Sequence, residues 1–375
     1  MAELTEFILG TLHNDFLEMK TSDDIYLKDL ILKDIGPSLE LYNNEVLQLT
    51  KLLAYKFDDS VANNKKMYHS DTFEEVSDIE MAANKAQFDA WNRPIPITRY
   101  AAGTTMTLEV MKQMSSQQII KWHNAKLFAD SKNIIRKMFE NGITKTPSAK
   151  VDALTHKSAT PKAFWNDESG MDTPRANGQI TFDGDHQHYL AVASGGSIGT
   201  NGSELDTLIS RITEHEGMSG QICLWARTGT TLNLITNEST NFRSYNLTSP
   251  LLPNAGEQYM ESGIAQALVR AKSTLGFNIN IVGTWKEALV IETPDIPAGY
   301  ILATMFVDEN SDLAPMGWRE HPQFKGLWIV EPNGGNPFIG KDAQYRRYLG
   351  LHVWNRDAGA VLYTTGTSWV EPTFV

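Results

Sequence analysis

The sequence predicts an α+β protein divided into more than one lobe, and three observations predict it. One long amphipathic stretch has no second helix of matching length, short apolar runs bounded by turn residues crowd the C-terminal half, and the first hundred residues are too polar to make their own core. A length of 375 residues exceeds the size at which a single core stops growing, which favours division into lobes. An apolar fraction of 41% with 21% charged residues belongs to folded chains and excludes a disordered or collagen-like polymer.

Taken in order, Gly36-Pro37-Ser38 signals a helix start, and Leu41, Leu49, Leu52 and Leu53 give the stripe that follows. Residues Val61 to Ala90 are charged and sparsely apolar, so they need something to lie on: a linker, or an arm and loop packed on neighbours. Trp91, Pro94 and Pro96 stiffen the return, because proline fixes its own φ and biases the residue before it toward extended geometry. From Thr104 to Asn141, Met111, Met114, Ile120, Leu127, Ile134, Ile135 and Met138 recur at helical steps. Thr104 or Thr105 can cap that helix, Gly142 can supply a left-handed stop, Ser115-Ser116 can bend it, and its length is on the order of 50 Å.

Beyond Thr146-Pro147 a loop-rich stretch leads to a strand pair over Gln179 to Ala193, with Ile180, Phe182, Tyr189 and Ala191 facing inward. A glycine-rich turn over Gly195 to Gly202 precedes a helix that Ser203 and Asp206 would cap, that buries Leu205, Leu208, Ile209 and Ile212, and that Gly217 would end. Strands follow at Gln221 to Ala226, Asn278 to Val282, Glu287 to Ile291, Tyr300 to Val307 and Leu327 to Val330, with a helix over Ile264 to Leu275. The stretch Asn233 to Tyr259 is polar and turn-rich, without a readable period. Tyr348 to Trp354 and Ala360 to Tyr363, joined through Asn355-Arg356-Asp357-Ala358-Gly359, read as a hairpin.

Composition excludes several functions. The one cysteine, Cys223, rules out an intramolecular disulfide and a thiolate metal cluster, in keeping with a reducing cytoplasm. Residues Met1 to Lys20 scatter Glu3, Glu6, Asp15 and Glu18 among apolar positions, unlike a secretory leader or a membrane span. A formal charge of -12, from 33 basic against 45 acidic residues, disfavours a surface that grips phosphate backbones, although a closed container for DNA needs no affinity for it.

Four constellations invite chemistry. Asp183, Asp185, His186 and His188 are the most tempting, since histidines two apart on a strand share a face and a carboxylate could complete a zinc site. Only two ligands sit on that face where three or four are required, so a polar strand edge is the preferred reading and no metal is expected. Gly195, Gly196, Gly199 and Gly202 stand where a phosphate loop would, but lack the Walker spacing and its lysine. Glu214, His215 and Glu216 close a helix, where a capping histidine needs no catalytic partner. Trp318, Trp328, Trp354 and Trp369 could line a sugar site, although aromatics more often fill cores and interfaces. No catalytic residue and no cofactor is expected.

The order of parts from about Trp91 onward resembles the Hong Kong 97-like major capsid protein fold of tailed phages, shared by encapsulin shells. The likeness is carried by Trp91-Asn92-Arg93-Pro94-Ile95-Pro96 leading through Tyr100-Ala101-Ala102-Gly103-Thr104 into the long helix, and by Ser203 to Trp225 as a second helix and central strand. It is carried also by the turn Ile296-Pro297-Ala298-Gly299-Tyr300-Ile301-Leu302 and by closing strands from Tyr345-Arg346-Arg347 to Asn355-Arg356-Asp357. The resemblance implies an N-terminal arm over 1–57, an extended loop over 58–102, and a peripheral domain over 103–222 with its spine helix (103–142) and a loop insertion (147–200). It further implies an axial domain over 223–340 and closing strands of the peripheral domain over 341–375.

Such subunits form hexamers and pentamers of an icosahedral virion capsid around double-stranded DNA, assembled in the bacterial host cytoplasm and without a membrane. Because the chain opens at Met1 on a short helical arm, a separate scaffolding protein is expected, with a portal and, as an open question, a decoration protein. Lys65, Lys66 and Lys85 lie in the loop where some relatives crosslink, but solvated charge is their ordinary role. Leu49, Leu52 and Leu53 in the arm, with Phe73, Phe88 and Trp91 in the loop region, are the expected intersubunit contacts, as apolar groups on segments without a core. The alternatives are an encapsulin-like compartment and, from a different class, a metal-dependent hydrolase centred on Asp183, Asp185, His186 and His188.

Overall fold

The computed structural model describes residues 17–56, 63–70, 87–106, 113–166, 186–192, 198–215, 218, 220–238, 240–244, 279–306, 311, 313–330 and 341–374. Helix α1 (Leu27–Leu30) passes through a π-helical turn at Ile31–Ile35 into α2 (Gly36–Leu53), and β1 (Ala54–Lys56) follows at once. Strands β2 (Asn63–Ser70) and β3 (Gln87–Pro94) pair with each other as a separate antiparallel ribbon. After β4 (Thr98–Met106) comes the long helix α3 (Ser116–Ile143), then the short pair β5 (Lys150–Val151) and β6 (Ser158–Ala159), and β7 (Tyr189–Ala191). Helix α4 (Ser203–Thr213), β8 (Gln221–Ala226), α5 (Thr230–Thr236) and β9 (Phe242–Ser244) lead to the β-rich end. That end holds β10 (Asn280–Trp285), β11 (Ala288–Glu292), β12 (Tyr300–Phe306), β13 (Met316–Glu320), β14 (Leu327–Val330), β15 (Lys341–Val353) and β16 (Gly359–Tyr363).

Two sheets organise these strands. In the first, the 13-residue β15 has β4 along one edge and β14, then β13, along the other, with β1 added in parallel to β13. The second runs β7-β16-β12-β8-β11-β10-β9, and β8 alternates between its faces. Cys223 and Trp225 point into the core shared with α3, whereas Ile222, Leu224 and Ala226 point into the core shared with α4 and α5. A sheet covered on both faces has no polar side, which is why this run of sequence reads as continuously apolar.

Polar groups bind the layers where apolar packing cannot. Arg347 of β15, 1% exposed, donates to Asp130 of α3 at 2.8 Å, to Glu320 of β13 at 3.4 Å and to Asn43 of α2 at 3.3 Å. Arg319 and Asp152, both fully buried, meet at 2.6 Å, and Arg319 also donates to the Ile95 carbonyl. Burial alone would raise the Asp152 carboxyl, but N–H groups of Ile97 and Thr155 and the Arg319 guanidinium outweigh it and hold the group below its ordinary value. His123 of α3 stands between Ser38 and Tyr345, 2.7 Å from each hydroxyl, and burial lowers its pKa to about 4.

Several expectations need correction. The long helix starts at Ser116, not at Thr104 or Thr105, because Thr98 to Met106 pair with β15 as a strand. Its cap is Ser115, whose hydroxyl accepts from the Gln118 N–H while the Gln118 amide oxygen accepts from the Ser115 N–H, and the Asp23 carboxylate accepts from the Ser116 N–H. Gly142 is not a left-handed stop: it stays helical, and Thr144 turns the chain out in extended geometry. Helix α4 is entered through Gly202 at φ 75°, and Ser203 with Asp206 make no capping box. A Cβ on Gly202 would lie 2.2 Å from the Trp285 ring, so glycine is required there by both φ and space.

The expected hairpin at Asn355 to Gly359 is absent too, since β15 belongs to the first sheet and β16 to the second. The connecting turn is held by other partners: Arg356 donates to the Ala163 and Phe164 carbonyls, Trp165 donates to Asp357, and Asn355 donates to the Leu313 carbonyl. In the sheets, β13 and β14 pair with β15, and β16 pairs with β12. Ile180, Phe182 and the helix expected over Ile264 to Leu275 lie outside the described residues.

Two outcomes follow from the buried groups. Asp152→Ala strands the Arg319 charge in the interior and is expected to cost about 3–5 kcal/mol of unfolding free energy by urea titration. For His123 the folded pKa of about 4 lies below the unfolded 6.5, so its stabilising contribution is complete above pH 6.5 and is lost as pH falls toward 4. The wild-type chain should therefore lose on the order of 3 kcal/mol more over that interval than His123→Gln does.

Candidate functional site

The histidines separated in sequence meet in the fold. His186 and His188 lie just before β7, which pairs in parallel with β16, and their two-residue spacing puts both rings on one side. His215 arrives from the end of α4. All three are buried, at 4%, 0% and 1% exposure, so the expectation of a polar strand edge is corrected. Their Nε2 atoms stand 3.1 Å apart for His186–His188, 3.1 Å for His186–His215 and 3.0 Å for His188–His215. Among the described residues this is the one group of three side chains placed to hold a metal ion.

The outer ring nitrogens have partners. His188 Nδ1 donates to the Gly359 carbonyl at 2.7 Å, His215 Nδ1 faces Asp357 at 4.0 Å, and Arg211 donates to His186 Nδ1 at 2.8 Å. Burial is the first cause that lowers the pKa of His186, to about 3, and it holds His188 well below the ordinary imidazole value, so both rings are neutral at pH 7. Neutral imidazole is the form that binds metal. Sequence spacing could not join His215 to the others, since it lies 27 and 29 positions further along the chain.

Asp183 and Asp185, the other half of the expected hydrolytic cluster, lie outside the described residues, as does Phe73. Leu49, Leu52 and Leu53 fall on α2, and Phe88 and Trp91 on β3 opposite His69 and Lys66, while their side-chain surroundings lie outside the described residues. Trp318, Trp328, Trp354 and Trp369 form no common platform: Trp318 is in the core, Trp328 stacks on Phe324, Trp354 meets Tyr55, and Trp369 packs on Tyr189 and Tyr300. A cleft of about 900 Å³ opens between α3 and the C-terminal segment, lined by Lys132, Arg136, Arg227, Asp295 and Glu371 among others. Arg136 in it donates to the Phe374 carbonyl at 2.9 Å, which secures the segment to the helix. No helix of the described residues is long and apolar enough to cross a membrane.

No family model matches the sequence, and no curated protein does. Solved structures do. A chain of Mycobacterium phage Patience superposes with a TM-score of 0.59 at 20% identity, over 95% of this chain and 92% of that one. The capsid of a native GTA particle gives 0.45 at 12% identity over 85% and 91%, and the SrpI encapsulin of Synechococcus elongatus gives 0.43 at 12% over 87% and 90%. The fold assignment rests on the first of these, and it agrees with the order of parts: a polar ribbon, a long helix, and two sheets exchanging strands near the end. The chain has the mixed α+β fold of Hong Kong 97-like phage capsid proteins.

Proposed function

We propose that this chain is a major capsid protein, assembling as hexamers and pentamers of an icosahedral phage head that encloses double-stranded DNA. The observation that carries the reading is the fold match over 95% of the chain. The β2–β3 ribbon supports it physically. Two strands alone are marginal in water, and this pair forms a sheet apart from the two large ones, so a neighbouring subunit is the natural source of its missing contacts. The formal charge of -12 suits a wall that confines DNA without gripping it. In this reading residues 1–57 are the arm, 58–102 the extended loop, α3 the spine, and scaffolding and portal proteins the assembly partners.

Two measurements test the reading. Electron microscopy of the expressed chain with its scaffolding partner should show closed shells or ring-shaped capsomers, and heads from infected cells should protect DNA from nuclease. A chain that stays monomeric at high concentration, or shells filled with protein cargo in place of DNA, would overturn it. Phe88→Ser combined with Trp91→Ser should lower the assembled fraction at least tenfold in sedimentation while leaving the thermal melt of the dissociated chain within a few degrees of wild type.

A further inference from the structure

We propose that His186, His188 and His215 form a three-histidine site for a divalent first-row transition ion, best matched by zinc, that staples the segment before β7 to the end of α4. This is independent of the capsid reading, since it rests on the three side chains alone.

The geometry is that of rings aimed at one point. Ring centroids stand 4.9–5.1 Å apart while the Nε2 atoms stand 3.0–3.1 Å apart, the contraction expected when each ring turns its Nε2 toward a shared centre. Interplanar angles of 70°, 86° and 42° exclude stacking as the reason for the approach. Nitrogens so spaced lie ~1.8 Å from their centre, so an ion at the ~2.0–2.1 Å usual for zinc and imidazole sits ~1 Å above their plane. That is a pyramidal three-nitrogen site with its fourth position left to an oxygen donor.

The chemistry agrees with the geometry. Three imidazoles suit zinc or its neighbours in the transition series, whereas magnesium and calcium prefer oxygen. His188 is held in the correct tautomer by the Gly359 carbonyl, and His215 presents Nδ1 toward the Asp357 carboxylate, the outer-shell arrangement that orients metal-bound histidines. An ion would replace the hydrogen bonds among the three Nε2 atoms and must also alter the contact with Arg211. Its guanidinium donates to His186 Nδ1, which places the ring proton on Nε2, so coordination requires the proton on Nδ1 and the guanidinium turned away.

The proposal is tested with zinc alone on the full chain. After chelator dialysis and readdition, elemental analysis should find about one zinc per chain, and zinc should raise the melting temperature by several degrees. Cobalt in its place should give the intense visible bands of a four-coordinate site. His186→Gln and His215→Gln should abolish uptake and the melting shift. Arg211→Gln, which offers an amide oxygen to an Nδ1–H, should bind zinc several-fold more tightly and decides the matter if the histidine variants fail to fold. Absence of stoichiometric uptake, uptake retained in the histidine variants, or unchanged or weaker binding in Arg211→Gln would overturn it.

Discussion

The buried guanidinium of Arg347 sets the arrangement of the first half of the molecule. It sits on the central strand of the first sheet and reaches Asp130 on the long helix, Glu320 on the next strand and Asn43 on α2, so three layers meet at one charge. An arginine so placed is tolerable only with its partners present, because its desolvation must be offset by the charges and hydrogen bonds around it. Asp130 also accepts from Tyr42, and Asn43 continues to Leu327 by accepting from its N–H and donating to its carbonyl. Apolar packing alone would let the helix slide along the sheet. The polar contacts fix its register.

A second constraint lies where the chain passes from one sheet to the other. Trp354 to Ala358 are all buried, and the Arg356 and Asp357 side chains are spent on the 163–166 segment through the Ala163 and Phe164 carbonyls, Asn166 and the Trp165 ring. Gly359 begins the new strand with the Phe164 ring where a Cβ would be, 2.1 Å from it, so the close approach depends on glycine. The same turn carries Asp357 and Gly359 to the outer nitrogens of His215 and His188. Fold and histidine cluster thus share their supports.

What was legible in the sequence followed from local periodicity. The stripe from Ile120 to Met138 and the apolar runs at Gln221 to Ala226 and Tyr300 to Phe306 each became the expected helix or strand, because burial on one or two faces leaves its period in the chain. What was not legible depended on distant partners. Met316 to Glu320 is a strand whose Arg319 and Glu320 look solvent-facing until Asp152 and Arg347 are brought to them. Thr98 to Met106 could extend a helix by its residues, and only pairing with β15 makes it a strand. The histidine pair was visible as a pair, but the third ring, which converts an edge into a possible site, came from a helix end that nothing in the spacing linked to it.

The passage of one continuous backbone from β15 into β16 has a mechanical meaning. Tension on the β2–β3 ribbon would enter through β4, which pairs antiparallel with β15 from Thr98 opposite Leu349 to Met106 opposite Lys341, so the load would enter β4 and leave β15 at the same end of the ladder. From β15 the covalent chain continues into the second sheet through β16, which lies between β7 and β12. In the capsid proposed above, a pull on one sheet would be passed to the other through the polypeptide itself.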